Sequence, residues 1–110
     1  MSIKLVGVEA IQGKLRKNAT LADVKRAVAV NGAEMTRNAE RLAPVDTGKL
    51  AGSINLSLED GGLTAVTRDG VNYGVYNDLG TRFMSAQPFM TPSFNLQAKK
   101  FKRDMEMLVK

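Results

Sequence analysis

The sequence contains no cysteine, no histidine and no tryptophan, and only three prolines, two tyrosines and four phenylalanines in 110 residues. Each absence removes a class of function. Without cysteine there are no disulfides, a usage that suits a reducing cytosol. Without histidine or cysteine there is no Ser-His-Asp or Cys-His nucleophile pair, no thiolate or imidazole metal site, and no side chain whose unperturbed pKa lies near neutrality. No catalytic residue, cofactor or metal ligand is therefore expected, and the chain is not read as an enzyme. Long apolar runs are missing too. Met1 to Ala10 carries Lys4 and Glu9 with no signal-peptide core, and no stretch of about 18 apolar residues could span a bilayer. A soluble, intracellular protein is expected. A chain of this length supports one small domain that buries roughly two thirds of the surface it exposes when unfolded.

What is present is a basic balance, 16 Lys and Arg against 11 Asp and Glu, for a formal charge of +5. That charge argues for a nucleic-acid partner only if the basic residues gather on one face. The hydrophobic period organises the rest. Thr20 and Asp23 form a carboxylate version of the capping box. Leu21, Val24, Val28, Met35, Ala39 and Leu42 then recur on one stripe, predicting an amphipathic helix over 21–42. Asn31-Gly32 in its middle marks a kink or a close packing contact. Pro44 ends the helix, because a residue before proline is pushed out of the helical region. A shorter helix over Val8–Lys17 is expected before it, with Val8, Ile11 and Leu15 on one face.

From Leu50 the period becomes two. Ile54, Leu56 and Leu58 alternate with polar residues, Asp60-Gly61-Gly62 supplies a turn, and Leu63 to Arg68 resumes as a strand. Asp69-Gly70 is a second turn signal, after which Val71 to Tyr76 can form a third strand. Phe94, Leu96 or Gln97, Phe101, Met105 and Leu108 then return to helical spacing, with Thr91 or Ser93 as candidate caps and Pro92 tolerated at the start. The expected fold class is α+β: a long N-terminal amphipathic helix, an antiparallel β-meander of about three strands, and a C-terminal helix packed on the sheet. The predicted divisions of this single domain are 1–19 with a short helix, 20–43 as the long helix, 50–78 as the meander, 80–92 as a loop and 93–109 as the last helix.

Three constellations carry possible chemistry. In the first, Pro44, Asp46, Thr47 and Gly48 form a corner between helix and strand, with proline stopping the helix, Asp46 and Thr47 bonding nearby amides, and Gly48 permitting a positive φ. Asp-Thr-Gly also occurs in aspartic proteases, but the flanking apolar strands are missing here. Gly48-Lys49 imitates the end of a phosphate loop without its first glycine or its following Ser/Thr. In the second, Tyr73, Tyr76, Asp78, Thr81, Phe83, Gln87, Pro88, Phe89 and Pro92 read either as the edge of the core or as a subunit interface, since tyrosines beside a long proline-containing loop can embrace a neighbour. The third is the run Lys99, Lys100, Lys102 and Arg103 around Phe101, which is a solvated face, a surface for an acidic partner, or a contact for nucleic acid.

Two blocks together resemble a known family. Ala43-Pro44-Val45-Asp46-Thr47-Gly48-Lys49-Leu50 with Ser53-Ile54, followed by Tyr73-Gly74-Val75-Tyr76-Asn77-Asp78-Leu79-Gly80-Thr81 with Gln87-Pro88-Phe89-Met90-Thr91-Pro92, are similar in order and spacing to the small head-to-tail joining, or tail-completion, proteins of long-tailed bacteriophages and prophages. The resemblance runs from about Thr20 to the C-terminus. It departs at Asp78, where the family usually has Glu, and at Gly74, where it usually has Ala. It implies an α+β structural protein of the virion neck without enzymatic activity. Further implications are a homo-oligomeric ring, six-fold by analogy with the tail, and contact with the head connector or stopper and with the tail tube or tail terminator. Location at the head-tail junction, reached from the host cytoplasm during assembly, is implied as well, with DNA passing nearby without specific binding. A tail terminator or minor tail protein is the nearest alternative, and a small basic nucleic-acid-binding module is the alternative from another class.

Overall fold

A computed structural model describes residues 2–10, 15, 19–43, 52–69 and 89–109. The described elements run in the order β1 (Ser2–Val6), α1 (Gly7–Ala10), α2 (Leu21–Leu42), β2 (Asn55–Glu59), a 3-10 turn (Asp60–Gly62), β3 (Thr64–Arg68) and α3 (Met90–Glu106). The protein is α+β: α2 and α3 pack together and against a three-stranded antiparallel sheet of spatial order β1-β3-β2. No described helix is long and apolar enough to cross a membrane.

α2 begins as its sequence predicts. The Thr20 amide donates to Asp23 Oδ2 at 2.8 Å and the Asp23 amide donates to Thr20 Oγ1 at 3.3 Å, a reciprocal cap that satisfies amides the helix cannot pair internally. It ends at Leu42, with the Ala43 amide still donating to the Ala39 carbonyl. Val24, Val28, Met35 and Ala39 are buried along the expected stripe, whereas Leu21 and Leu42, at its two ends, are exposed.

β2 and β3 form the expected hairpin. Asp60, Gly61 and Gly62 have φ values of 53°, 66° and 96°, so the turn uses the left-handed region throughout. The Thr64 hydroxyl donates to Asp60 Oδ2 at 2.7 Å and braces it.

The third described strand comes from the N-terminus. β1 pairs with β3, Leu5 opposite Ala65, so β3 is the central strand. Of the expected helix over Val8–Lys17, the described residues show a helical turn at Gly7–Ala10 with Val8 exposed, and Leu15 in an isolated bridge with Val109 rather than in a helix; 11–14 and 16–18 lie outside the described residues. β1 itself is held by the burial of Leu5 against Ala65 and the helices. The expected strand Val71–Tyr76 lies outside the described residues.

α3 starts at Met90, three positions earlier than predicted, and takes Thr91, Pro92 and Ser93 into its first turn. Pro92 is tolerated because first-turn amides lack intrahelical partners. Ser93 does not cap from outside; its hydroxyl donates back to the Phe89 carbonyl at 2.5 Å. Gln97, Phe101 and Met105 are buried on one face, and Leu96 is exposed, so Gln97 takes the inward position of that pair.

The main core joins Leu5, Val24, Val28, Met35, Ala65, Phe101 and Met105 between sheet and helices. A second buried cluster holds Ala39, Ala43, Ile54, Phe89 and Met90 at the C-terminal end of α2.

Candidate functional site

The largest concentration of polar chemistry among the described residues is a seam between α2 and α3. Asn31, fully buried, donates from Nδ2 to the Ala27 carbonyl at 2.9 Å and to Asp104 Oδ2 at 2.9 Å. Gln97 Nε2 donates to Asn31 Oδ1 at 2.6 Å and to Glu34 Oε2 at 3.1 Å. Lys100 Nζ closes the chain on both Glu34 oxygens, at 2.6 and 2.8 Å. Asp104, Asn31, Gln97, Glu34 and Lys100 thus form one continuous line of donors and acceptors across the helix pair. The Lys100 ammonium, and after it the Gln97 amide, hold the Glu34 carboxyl below its ordinary value near 4.5.

This seam orients helices. Its buried groups are spent on one another, and a satisfied polar line fixes the register of two helices where apolar contact alone would allow sliding. Among the described residues no group of three or more acidic side chains could hold a metal ion. The sequence reading did not single out Asn31, Glu34, Gln97 or Asp104 as a group. The available signals were a polar Asn-Gly in mid-helix and a glutamine at an i, i+4 position between Ser93 and Phe101.

The seam splits the predicted basic run. Lys100 is half-buried and bonded to Glu34, while Lys99, Lys102 and Arg103 are exposed. Phe101 between them is in the core. The free cationic face is therefore narrower than the run of four suggests.

Of the predicted interface residues, Phe89 and Pro92 are described. Phe89 is fully buried, its ring one of the largest side chains with no exposure, and Pro92 is half-buried in the first turn of α3. Tyr73, Tyr76, Asp78, Thr81, Phe83, Gln87 and Pro88 lie outside the described residues, as do the corner residues Pro44, Asp46, Thr47 and Gly48. The residues that border them do meet. Ala43 and Ile54 from the first block pack with Phe89 and Met90 from the second in the same buried cluster.

Comparison of the chain with known protein families finds no family that matches, and comparisons with characterised proteins and with solved structures find no match either.

Proposed function

We propose that the chain is a structural, non-enzymatic subunit of a bacteriophage head-tail junction, a head-to-tail joining or tail-completion protein that works as a homo-oligomeric ring between the head connector and the tail tube. One observation supports this above the others. The two sequence blocks that carry the resemblance, far apart along the chain, converge in space, with Ala43 and Ile54 of one packed against Phe89 and Met90 of the other. The cluster is buried and is not itself a surface, but it sets the two blocks side by side, as a contact surface built from both would require. The chain's inventory agrees, since without histidine or cysteine it lacks the usual nucleophile and acid-base partners.

The proposed mechanism is assembly. Each subunit contributes a modest contact, and cyclic symmetry multiplies it into a closed ring. The rigid seam between α2 and α3 suits such a part, because a ring closes only if every subunit holds the same shape. Removal of the gene from a phage that carries it, followed by electron microscopy, tests the reading. Complete heads and complete tails that fail to join are expected, and normal virions would sink it. A folded Tyr76→Ala variant that joined heads to tails at wild-type yield would remove Tyr76 from the interface.

A further inference from the structure

Among the described residues the sheet ends on two strands whose outer sides are unpaired, and the chemistry of the two edges differs. The Gly7 amide donates to the Leu63 carbonyl at 2.7 Å, and in the β1–β3 register these residues are directly opposite. Bonded pairs alternate along an antiparallel ladder. Ile3 and Leu5 therefore spend their backbone groups on β3, and those of Ser2, Lys4 and Val6 point outward. On β3, Thr64, Val66 and Arg68 must then bond to β2, which leaves the backbone groups of Leu56 and Leu58 pointing outward on the far edge. None of these outward groups has a partner among the described residues. Both edge strands are five residues long.

Side chains distinguish the edges. Beside β1 lies a groove of about 360 Å³ against α3, floored by Leu5, Phe94, Ala98 and Phe101 and rimmed by Lys102. No carboxylate lines it. Beside β2, Leu58 is a large apolar side chain left 48% exposed, and Glu59 and Asp60 follow it at the strand's end. Leu58 is opposite Ala65, which is opposite Leu5, so all three share the sheet face on which the helices pack. One edge offers an apolar groove with Lys102 at its rim and Lys4 on the other face of the same strand. The other offers an apolar knob followed by Glu59, which pairs with Arg68 at 2.9 Å, and Asp60, which accepts from Thr64, and both carboxylates stay at the strand's end.

We propose that the β2 edge of one copy of this chain adds to the β1 edge of the next, placing Leu58 in the groove between β1 and α3. β1 and β2 are both antiparallel to β3, so they run in the same direction and the new pairing is parallel. The contact is heterologous: each copy uses a different edge toward each neighbour, and repetition of one rotation closes a ring. Lysine on a strand edge discourages like-with-like pairing, so Lys4 opposes β1 meeting β1. This deepens the ring reading above and rests on it for closure, though not for the pairing itself.

The absence of cysteine makes the test direct. Ser2 and Asn55 both lie opposite Arg68, on the sheet face away from the helices, one at each edge. Under mild oxidation, Ser2→Cys protein mixed with Asn55→Cys protein should give a disulfide-linked dimer that neither gives alone, and the double variant should give a ladder ending at a closed ring. Val6→Pro removes an outward amide without breaking a bond to β3, and Leu58→Asp removes the knob. Each should reduce cross-linking of the mixture to background with circular dichroism unchanged. No mixed dimer, equal cross-linking of a single variant with itself, or full cross-linking in both blocking variants would overturn the pairing. Unjoined heads and tails without the gene, together with no mixed dimer, would overturn the edge contact alone. Mixed dimers together with normal virions lacking the protein would overturn the junction reading and leave the edge contact standing.

Discussion

Gly32 of α2 lies so close to Ala65 of β3 that a methyl group at Gly32 would stand 2.6 Å from the Ala65 Cβ, with Leu56 Cδ1 next at 3.1 Å. This contact sets how near the helix comes to the centre of the sheet. It also explains a glycine in mid-helix, a position that costs about 1 kcal/mol relative to alanine. Gly32→Ala should gain that propensity and lose about 1–3 kcal/mol to overpacking, because neither Ala65 nor the backbone beneath it can move far. A net loss is expected, seen as a lower Tm in a thermal melt, with Ala65→Gly in the same chain recovering part of it. A Gly32→Ala protein more stable than wild type would show that the helix sits farther from the sheet.

One turn along the same helix, the Thr36 hydroxyl is 2.8 Å from that of Thr67, and Thr36 also donates to the Gly32 carbonyl at 2.9 Å. Both threonines are buried. With Thr36 committed as donor to Gly32, Thr67 donates to Thr36. Thr36→Val then strands the Thr67 hydroxyl, at a cost of about 1–3 kcal/mol for an unsatisfied buried group. Replacement of both by valine removes the need along with the partner. Chemical denaturation of the single and double variants should therefore show the double variant more stable than the sum of the singles predicts.

The Glu34–Lys100 pair predicts a pH dependence with a definite sign. Glu34 titrates below its ordinary value in the folded protein, chiefly because Lys100 bonds its charged form. The folded state thus binds this proton less readily than the unfolded state does. The pair's contribution is present above about pH 4.5, the unfolded value, and is lost as pH falls through the lower folded value. Side chains of both partners are more than a third exposed, so solvent screens the pair and its worth is about 0.2–1 kcal/mol. Glu34→Gln should flatten that acid limb of the stability profile and leave the profile near neutrality almost parallel to wild type. An acid limb unchanged by Glu34→Gln would mean that the pair does not form in solution.

Local signals were legible and long-range ones were not. Thr20 and Asp23 are three residues apart and decide the start of α2 between themselves; Asp60-Gly61-Gly62 likewise dictates its own turn. β1 is different. Ser2 to Val6 alternates, but five residues of alternation acquire a role only through Thr64 to Arg68, and no local preference names that partner. The polar seam was hidden for a related reason. Asn31 reads only as half of a mid-helix Asn-Gly, Gln97 as an alternative to Leu96 on the apolar stripe, and Glu34 and Asp104 as ordinary helix-surface residues; only the packing of α2 on α3 brings the four together. Leu96 and Gln97 make the same point: hydrophobicity favours Leu96 as the buried one, while hydrogen bonds from Gln97 to Asn31 and Glu34 decide for Gln97.

Phe89 supplies a last prediction, and it bears on how assembly experiments should be interpreted. The sequence marks it as an interface candidate, yet its ring is fully enclosed with Ala39, Ala43, Ile54 and Met90. Truncation to alanine should cost about 3–5 kcal/mol by lost burial and an incompletely collapsed cavity. For a protein of this size that is a large share of a total stability of about 5–15 kcal/mol. Phe89→Leu keeps most of the volume and should cost far less. The midpoints of urea denaturation should therefore fall in the order wild type, Phe89→Leu, Phe89→Ala. If Phe89→Ala left the midpoint unchanged, the ring would not be in the cluster. A failure of Phe89→Ala to assemble is then expected from instability alone, so position 89 can report on an interface only if Phe89→Leu, folded and stable, also fails to assemble.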